Sequence, residues 1–201
     1  MAPVTVPTDK LFEFVDFDAF YAWLADNHDQ ADEVWIRIFK KASGRPTISA
    51  TEAIDAVLCW GWIDAIKKSW DADSFVQRYC PRRPKSVWSQ TNRDNVARLV
   101  EQGLMTEHGL KHVAAAKADG RWEAAYRTTD APPADLVAAI GANPAAQKTF
   151  EGLTAQNRFA LVYRTNSLKT EAGRKKRIAD FVAMLARGET IYPQKTKGEG
   201  R

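Results

Sequence analysis

Cysteine, histidine and long apolar runs are what this sequence has least of. Its two cysteines, Cys59 and Cys80, show neither a CxxC pattern nor metal-like spacing. Cys59 falls in an apolar helical run and Cys80 ends an expected strand, so the pair reads as two small buried hydrophobes in a reducing compartment rather than a disulfide. With three histidines and no Cys/His cluster, no metal site and no cofactor are expected. Nowhere do about eighteen apolar residues run together, so no membrane span is expected. The N-terminus MAPVTVPTDK lacks the apolar core of a signal peptide, which makes the cytoplasm the expected location. A glycine-rich phosphate loop, a dinucleotide fingerprint and a GxSxG elbow are all missing, which excludes the common nucleotide and hydrolase classes. The sequence holds no internal repeat and no low-complexity segment.

What is present suits a globular protein. The 201 residues are 45% hydrophobic and 27% charged, enough for one domain with a helical appendage or for two small domains. Seven tryptophans require a core that can also satisfy their N–H groups. The net charge of +4 is unevenly spread: Arg164 to Arg201 carry ten Lys/Arg against four Asp/Glu, a net +6, which leaves −2 for the rest. Basic character this local argues against a protein that coats nucleic acid over its whole surface.

The stretch from Ser49 to Arg93 organises the chain, with four of the seven tryptophans and both cysteines. Before it, residues 1–10 read as an extended lead-in, Asp16 caps a helix carrying Phe17, Phe20, Trp23 and Leu24, and Val34 to Lys41 reads as a strand. Ser49 with Glu52 forms a capping box, Ile54, Val57 and Leu58 give the helix its apolar stripe, and Gly61 closes it. Trp62 to Trp70 and Ser74 to Cys80 flank the turn Asp71-Ala72-Asp73 as a hairpin. Pro81 and Pro84 exclude regular structure between them. Ser86 or Ser89 then caps a helix whose Val96, Leu99 and Val100 face inward and which Gly103 stops, and Thr106 opens another that runs to Asp119-Gly120. The polar, proline-ended stretch Thr128 to Pro133 is the best domain boundary. Beyond it, helices are expected at Leu136 to Ile140, after Asn143-Pro144, after Thr154 and from Thr170 to Gly188, followed by a frayed, charged tail from Gln194.

Leu58-Cys59-Trp60-Gly61-Trp62-Ile63-Asp64, then Pro81-Arg82-Arg83 with Ser86, Trp88, Ser89 and Asn92, then Ala116-Lys117-Ala118-Asp119-Gly120-Arg121-Trp122 resemble the YdeI/OmpD-associated family. That family is also labelled bacteriocin-protection. Arg158, Tyr163, Glu171 and the run Arg174-Lys175-Lys176-Arg177 are similar to its basic helical segment, so the resemblance spans roughly Phe12 to Gly188. It implies protection against antimicrobial peptides or stress and, in some members, association with an outer-membrane porin. It implies no chemistry, cofactor or catalytic residue. The family more often has a small or proline-containing turn where Thr106-Glu107-His108 stands, so the histidines here are not read as family ligands.

The strongest candidate site is basic. Val76 to Arg93 contains no acid, and Arg82, Arg83 and Lys85 sit just ahead of a helix start capped by Ser86 or Ser89. Exposed N–H groups and the positive end of the helix dipole favour anions there, and guanidinium groups grip phosphate or carboxylate two-pronged. Trp88, four residues before Asn92, would wall such a pocket. The plainer reading pairs these arginines with surface acids and places Trp88 in the core. Asp64, on a segment with Lys67, either orients an arginine or acts as a base, or simply ties down Arg78 or Lys67. His108 and His112 share a helix face, yet HGLKH lacks a metalloprotease glutamate and no third ligand is at hand, so they read as surface residues. His28 reads as a local cap or pair. Lys169 with Arg174 to Arg177 would suit a phosphate backbone or an anionic membrane, but a four-residue run winds round its helix, so a solvated face is the plainer account.

The expected fold class is therefore α+β: a small three-stranded sheet packed with helices over residues 1–130, then an all-helical segment over 131–201. The expected function is non-catalytic binding of a small anion or protein partner, in a role of bacteriocin-protection type. Nucleic-acid binding through the basic helix, and an enzyme acting on a small anion with Asp64 as base and Arg82 and Arg83 as clamp, are the alternatives.

Overall fold

The computed structural model describes residues 5–194. The first four residues of the lead-in, and the tail beyond Gln194, lie outside the described residues. The chain divides between Ala125 and Tyr126 into two compact units.

The N-terminal unit is built in the order β1 (Leu11–Phe12), α1 (Phe17–Asn27), β2 (Val34–Phe39), α2 (Ala50–Cys59), β3 (Trp62–Ser69), β4 (Ser74–Pro81), α3 (Gln90–Glu101) and α4 (Glu107–Ala118). Its sheet has four strands rather than three, in the order β1-β2-β4-β3. The added strand is the two-residue β1, which pairs parallel with β2, while β2/β4 and β4/β3 are antiparallel. Two residues are too few to show a period of two, so the strand is invisible in the sequence pattern. Thr8–Lys10 is also not extended but forms a short 3-10 turn ahead of it.

Local signals placed most boundaries. Asp16 accepts a hydrogen bond from the Ala19 N–H and starts α1. Ser49 and Glu52 exchange both bonds of the capping box at α2. Asp71 accepts from the Asp73 N–H and the Ser74 hydroxyl in the β3–β4 turn. Ser89, not Ser86, caps α3. Val96 and Leu99 of that helix are buried as expected, whereas Val100 is half exposed at 50%.

Helix α2 has two neighbours to satisfy. Ala53, Ala56 and Val57 join Phe20, Leu24, Val34, Ile36, Trp62 and Tyr79 in a core between the sheet and α1. Leu58 and Cys59 belong to a second core with Val96, Leu99, Val113, Ala116, Trp88 and Trp122, under α3 and α4. Five consecutive residues, Asp55 to Cys59, are buried, so this half of the helix has no solvent face. The one charge among them, Asp55, is met by Arg98 of α3 at 2.7 Å. Burial pushes the Cys59 thiol up to about 12, so it stays protonated and behaves as a small hydrophobe. Both cysteines are free.

The C-terminal unit contains α5 (Ala134–Gly141), α6 (Pro144–Glu151), α7 (Ala155–Asn166) and α8 (Glu171–Ala186), with no strand among the described residues after Pro133. Leu136, Ile140, Leu161, Ile178, Phe181 and Leu185 form its core. Buried Asn157 holds the final described segment by exchanging hydrogen bonds with the Tyr192 backbone and donating to Gln194. No helix of the described residues is long and apolar enough to cross a membrane.

Helices α2 and α4 meet so closely that only glycine fits at position 109. A Cβ there would stand 2.4 Å from the Cys59 carbonyl oxygen and 2.7 Å from that of Leu58, both backbone atoms that cannot rotate away. Gly109→Ala should lower unfolding stability by about 2 kcal/mol, because overpacking outweighs a gain in helix propensity of at most about 1 kcal/mol. Urea denaturation followed by circular dichroism measures it, and an unchanged or higher midpoint would refute the close contact.

Candidate functional site

Thr106 anchors the start of α4 to the end of α2. Its hydroxyl donates to the Cys59 carbonyl at 2.6 Å and accepts from the Gly109 N–H at 3.3 Å. From that anchor, His108, Lys111, His112 and Ala115 follow at i, i+3, i+4 and i+7, one face of the helix. This face lines a pocket of about 620 Å³, together with Trp60-Gly61-Trp62 and the prolines Pro81 and Pro84. The volume lies within the range of about 300–1,000 Å³ usual for small-ligand sites.

All three histidines of the chain line this pocket. His112 lies against Gly61, where a Cβ would come within 2.5 Å of His112 Cδ2. Gly61 also has φ +73°, so it is required both for the turn and for the imidazole beside it. His28 closes α1, and its Nδ1 lies 3.0 Å from the Leu24 carbonyl. A carbonyl only accepts, so Nδ1 carries the hydrogen. The His28 ring centre is 4.1 Å from that of His108 and 4.6 Å from that of Trp60. Trp62 Nε1 donates to the His28 carbonyl at 3.0 Å, which fixes the end of α1 to the start of β3.

The charges around the pocket differ in how far they are already engaged. Arg121 donates to the Ser86 carbonyl at 2.8 Å and pairs with Asp119 at 2.8 Å. Lys111 and Asp29, both exposed, enter no ion pair among the described residues. Burial lowers the pKa of His112, helped by the positive charges of Arg82, Lys111 and Arg121, so at neutral pH it is a neutral imidazole beside cations. No group of His, Cys, Asp or Glu among the described residues could hold a metal ion.

The residues singled out in the sequence are distributed differently. Arg82 is turned inward, only 4% exposed; its guanidinium lies 3.8 Å from the Trp88 ring centre and donates to the Val87 carbonyl at 3.1 Å. Trp88 is buried in the second core and precedes α3, so it does not share a helix face with Asn92. Ser89 accepts the Asn92 N–H at 3.1 Å, and Ser86 offers its carbonyl to Arg121. Arg83 and Lys85 are exposed. Asp64 lies opposite Tyr79 in the sheet, its carboxyl raised by burial while its own backbone hydrogen bond and the Arg82 charge oppose the rise. Its two expected partners are engaged elsewhere: Arg78 pairs with Glu33, and Lys67 lies 3.9 Å from the Phe75 ring centre. Of the whole segment 81–92, only Pro81 and Pro84 line the pocket. The spacing of His108 and His112 was the signal for it, and nothing near His28 in the sequence connects that residue to them.

Comparison with known families divides the chain. The model of a domain of unknown function, DUF8412, matches residues 12–112, which is 101 of the 201 residues. The chain belongs to that family. The model described as bacteriocin-protection, YdeI or OmpD-associated matches residues 131–188. No curated protein and no solved structure matches the chain. The resemblance to the bacteriocin-protection family thus holds in the C-terminal unit. The motifs around Trp60 and Arg82, by contrast, lie within the DUF8412 match, and the Ala116–Trp122 segment falls between the two. Within the DUF8412 match stand His28, Asp29, Trp60, Trp62, His108, Lys111 and His112.

The basic run of α8 is largely engaged within its own unit. Arg174 grips Asp135 with two hydrogen bonds and donates to the Thr165 carbonyl. Lys175 and Lys176 make i,i+4 pairs with Glu171 and Asp180, and Arg177 lies over Phe181. The two exposed lysine pairs contribute little to stability but lower the net field of the run.

Two outcomes follow for the N-terminal unit. Arg82→Ala should lower stability by about 2–3 kcal/mol, since it uncovers Trp88 and strips the Val87 carbonyl, whereas Arg83→Ala should leave the melting temperature unchanged. An Arg82→Ala protein that melts like wild type would remove Arg82 from the core. The second concerns pH. His112 titrates at its ordinary value of 6.5 in the unfolded chain and lower in the folded one. The unfolded state therefore takes the proton first, and stability should decline as pH falls from about 7 towards 5. Chemical denaturation across that range should show a shallower decline for His112→Gln; an identical slope would mean that folding does not perturb His112.

Proposed function

We propose that this chain is a binding protein of bacteriocin-protection type whose N-terminal pocket holds a small ligand by an anionic group. The observation that carries this reading is the gathering of Lys111, with no carboxylate partner among the described residues, and His112 on one face of α4, in a pocket that the half-buried Trp60 also lines. Directed donors on one wall and aromatic surface on the other are what orient a small molecule. Arg83 and Lys85 project from the loop whose Pro81 and Pro84 line the same pocket, so in this reading they draw anions towards the mouth rather than clamp them. The anion is thus assigned to the α4 wall and not to the start of α3, because Arg82 is spent on Trp88 and Ser89 on its own helix cap.

Tryptophan fluorescence reads the test directly, since two tryptophans line the pocket. Benzoate and inorganic phosphate are titrated into wild type and Lys111→Met. Benzoate should change the emission saturably, with affinity about tenfold weaker in the variant, a loss of about 1.4 kcal/mol. Flat titrations with both anions, or equal affinities for wild type and Lys111→Met, would overturn the reading.

A further inference from the structure

The pocket holds an unspent charge of each sign. Arg121 and Asp119 neutralise one another, which leaves Lys111 and Asp29 as the lining charges without an ion-pair partner among the described residues. A simple anion seated at Lys111 would share the pocket with the Asp29 carboxylate, and that repulsion lowers its affinity. A ligand that brings its own cation turns the repulsion into a second attachment. Beside the two charges the pocket offers aromatic surface: Trp60 has its ring centre 5.8 Å from that of His108, at 26° to it. Such surfaces favour a flat apolar body, and a tryptophan face also attracts an ammonium group.

From this, and resting on the reading of the pocket as a small-ligand site, we propose that its occupant is an aromatic zwitterion of the α-amino-acid type. The ring lies against Trp60 and His108, the carboxylate on Lys111 and His112, and the ammonium on Asp29. Recognition is shared between the two charges, so neither half of the ligand suffices. Neutral His112 donates one hydrogen bond to the carboxylate, and on protonation it adds a charge to it.

The experiment compares three probes that differ by one group each: L-phenylalanine, 3-phenylpropionate, which lacks the ammonium, and 2-phenylethylamine, which lacks the carboxylate. Each is titrated calorimetrically into wild type, Asp29→Asn and Lys111→Met. L-Phenylalanine should bind wild type about tenfold or more tighter than either truncated probe. Asp29→Asn should bring it down to the affinity of 3-phenylpropionate while leaving that probe as tight as before or tighter. Lys111→Met should weaken both carboxylates. If 3-phenylpropionate binds wild type as tightly as L-phenylalanine and Asp29→Asn changes neither, the zwitterion falls and the anion site stands. If none of the three probes binds wild type, both fall. The comparison within wild type needs no variant, so a variant that misfolds does not leave the question open.

Discussion

The turn Cys59-Trp60-Gly61 is the constraint on which the N-terminal unit depends. Three chain segments use its backbone. The Cys59 carbonyl receives both the N–H and the hydroxyl of Thr106, and so fixes α4. The Gly61 N–H returns to Leu58, which closes α2, and the Gly61 carbonyl accepts the Arg82 N–H, which fixes the end of β4. A side chain at 61 would have to adopt the left-handed backbone region and displace the His112 ring. One short turn therefore ends a helix, begins a strand and positions a second helix.

The pocket is a consequence of that arrangement. Trp60 and Trp62 are separated by a single residue but lie in different surroundings. Trp62 is fully buried with its N–H on the His28 carbonyl, whereas Trp60 is half-buried among Tyr21, His28 and His108. The close contact of α2 with Gly109 brings the first turns of α4 up to this pair, so His108 packs beside Trp60 and His28 while Lys111 and His112 line the same pocket. Charge follows the same logic. Groups that hold the fold are tied to backbone carbonyls or carboxylates, as Arg82, Arg98 and Arg121 are, whereas Lys111 and Asp29 of the pocket enter no ion pair among the described residues.

The two units solve different packing problems. In the first, α2 is buried on every side of its second half and takes its stability from two cores at once. In the second, helices with side-chain caps at Asn143, Thr154 and Thr170 surround one apolar core, and three of the four cations on α8 are matched with acids one turn away or on α5. The family matches divide the chain in the same way, with the bacteriocin-protection match confined to the second unit.

Caps, turns and periodic stripes were legible because they depend on a few neighbouring residues: Ser49 with Glu52, Gly61, Asp71-Ala72-Asp73, Ser89, Thr106 and Thr170 each satisfy backbone groups within one turn. The α+β class and the helical C-terminal unit follow from those signals alone. The basic cluster at Arg82, Arg83 and Lys85 was also legible as composition, but its direction was not. Whether an arginine turns towards solvent or lies flat on a tryptophan depends on what the fold places beneath it, and Trp88 becomes core only when α3 and α4 close over it. The fourth strand needed a partner 24 residues away to make two residues extended. His28 and His108 are 80 residues apart with ring centres at 4.1 Å, a contact made when α1 and α4 converge on the Trp60 turn. The sequence by itself determined where the helices and the β3–β4 hairpin form, because those interactions are local. Which charges are spent and which remain for a ligand was decided by tertiary packing, because that depends on neighbours remote in the chain.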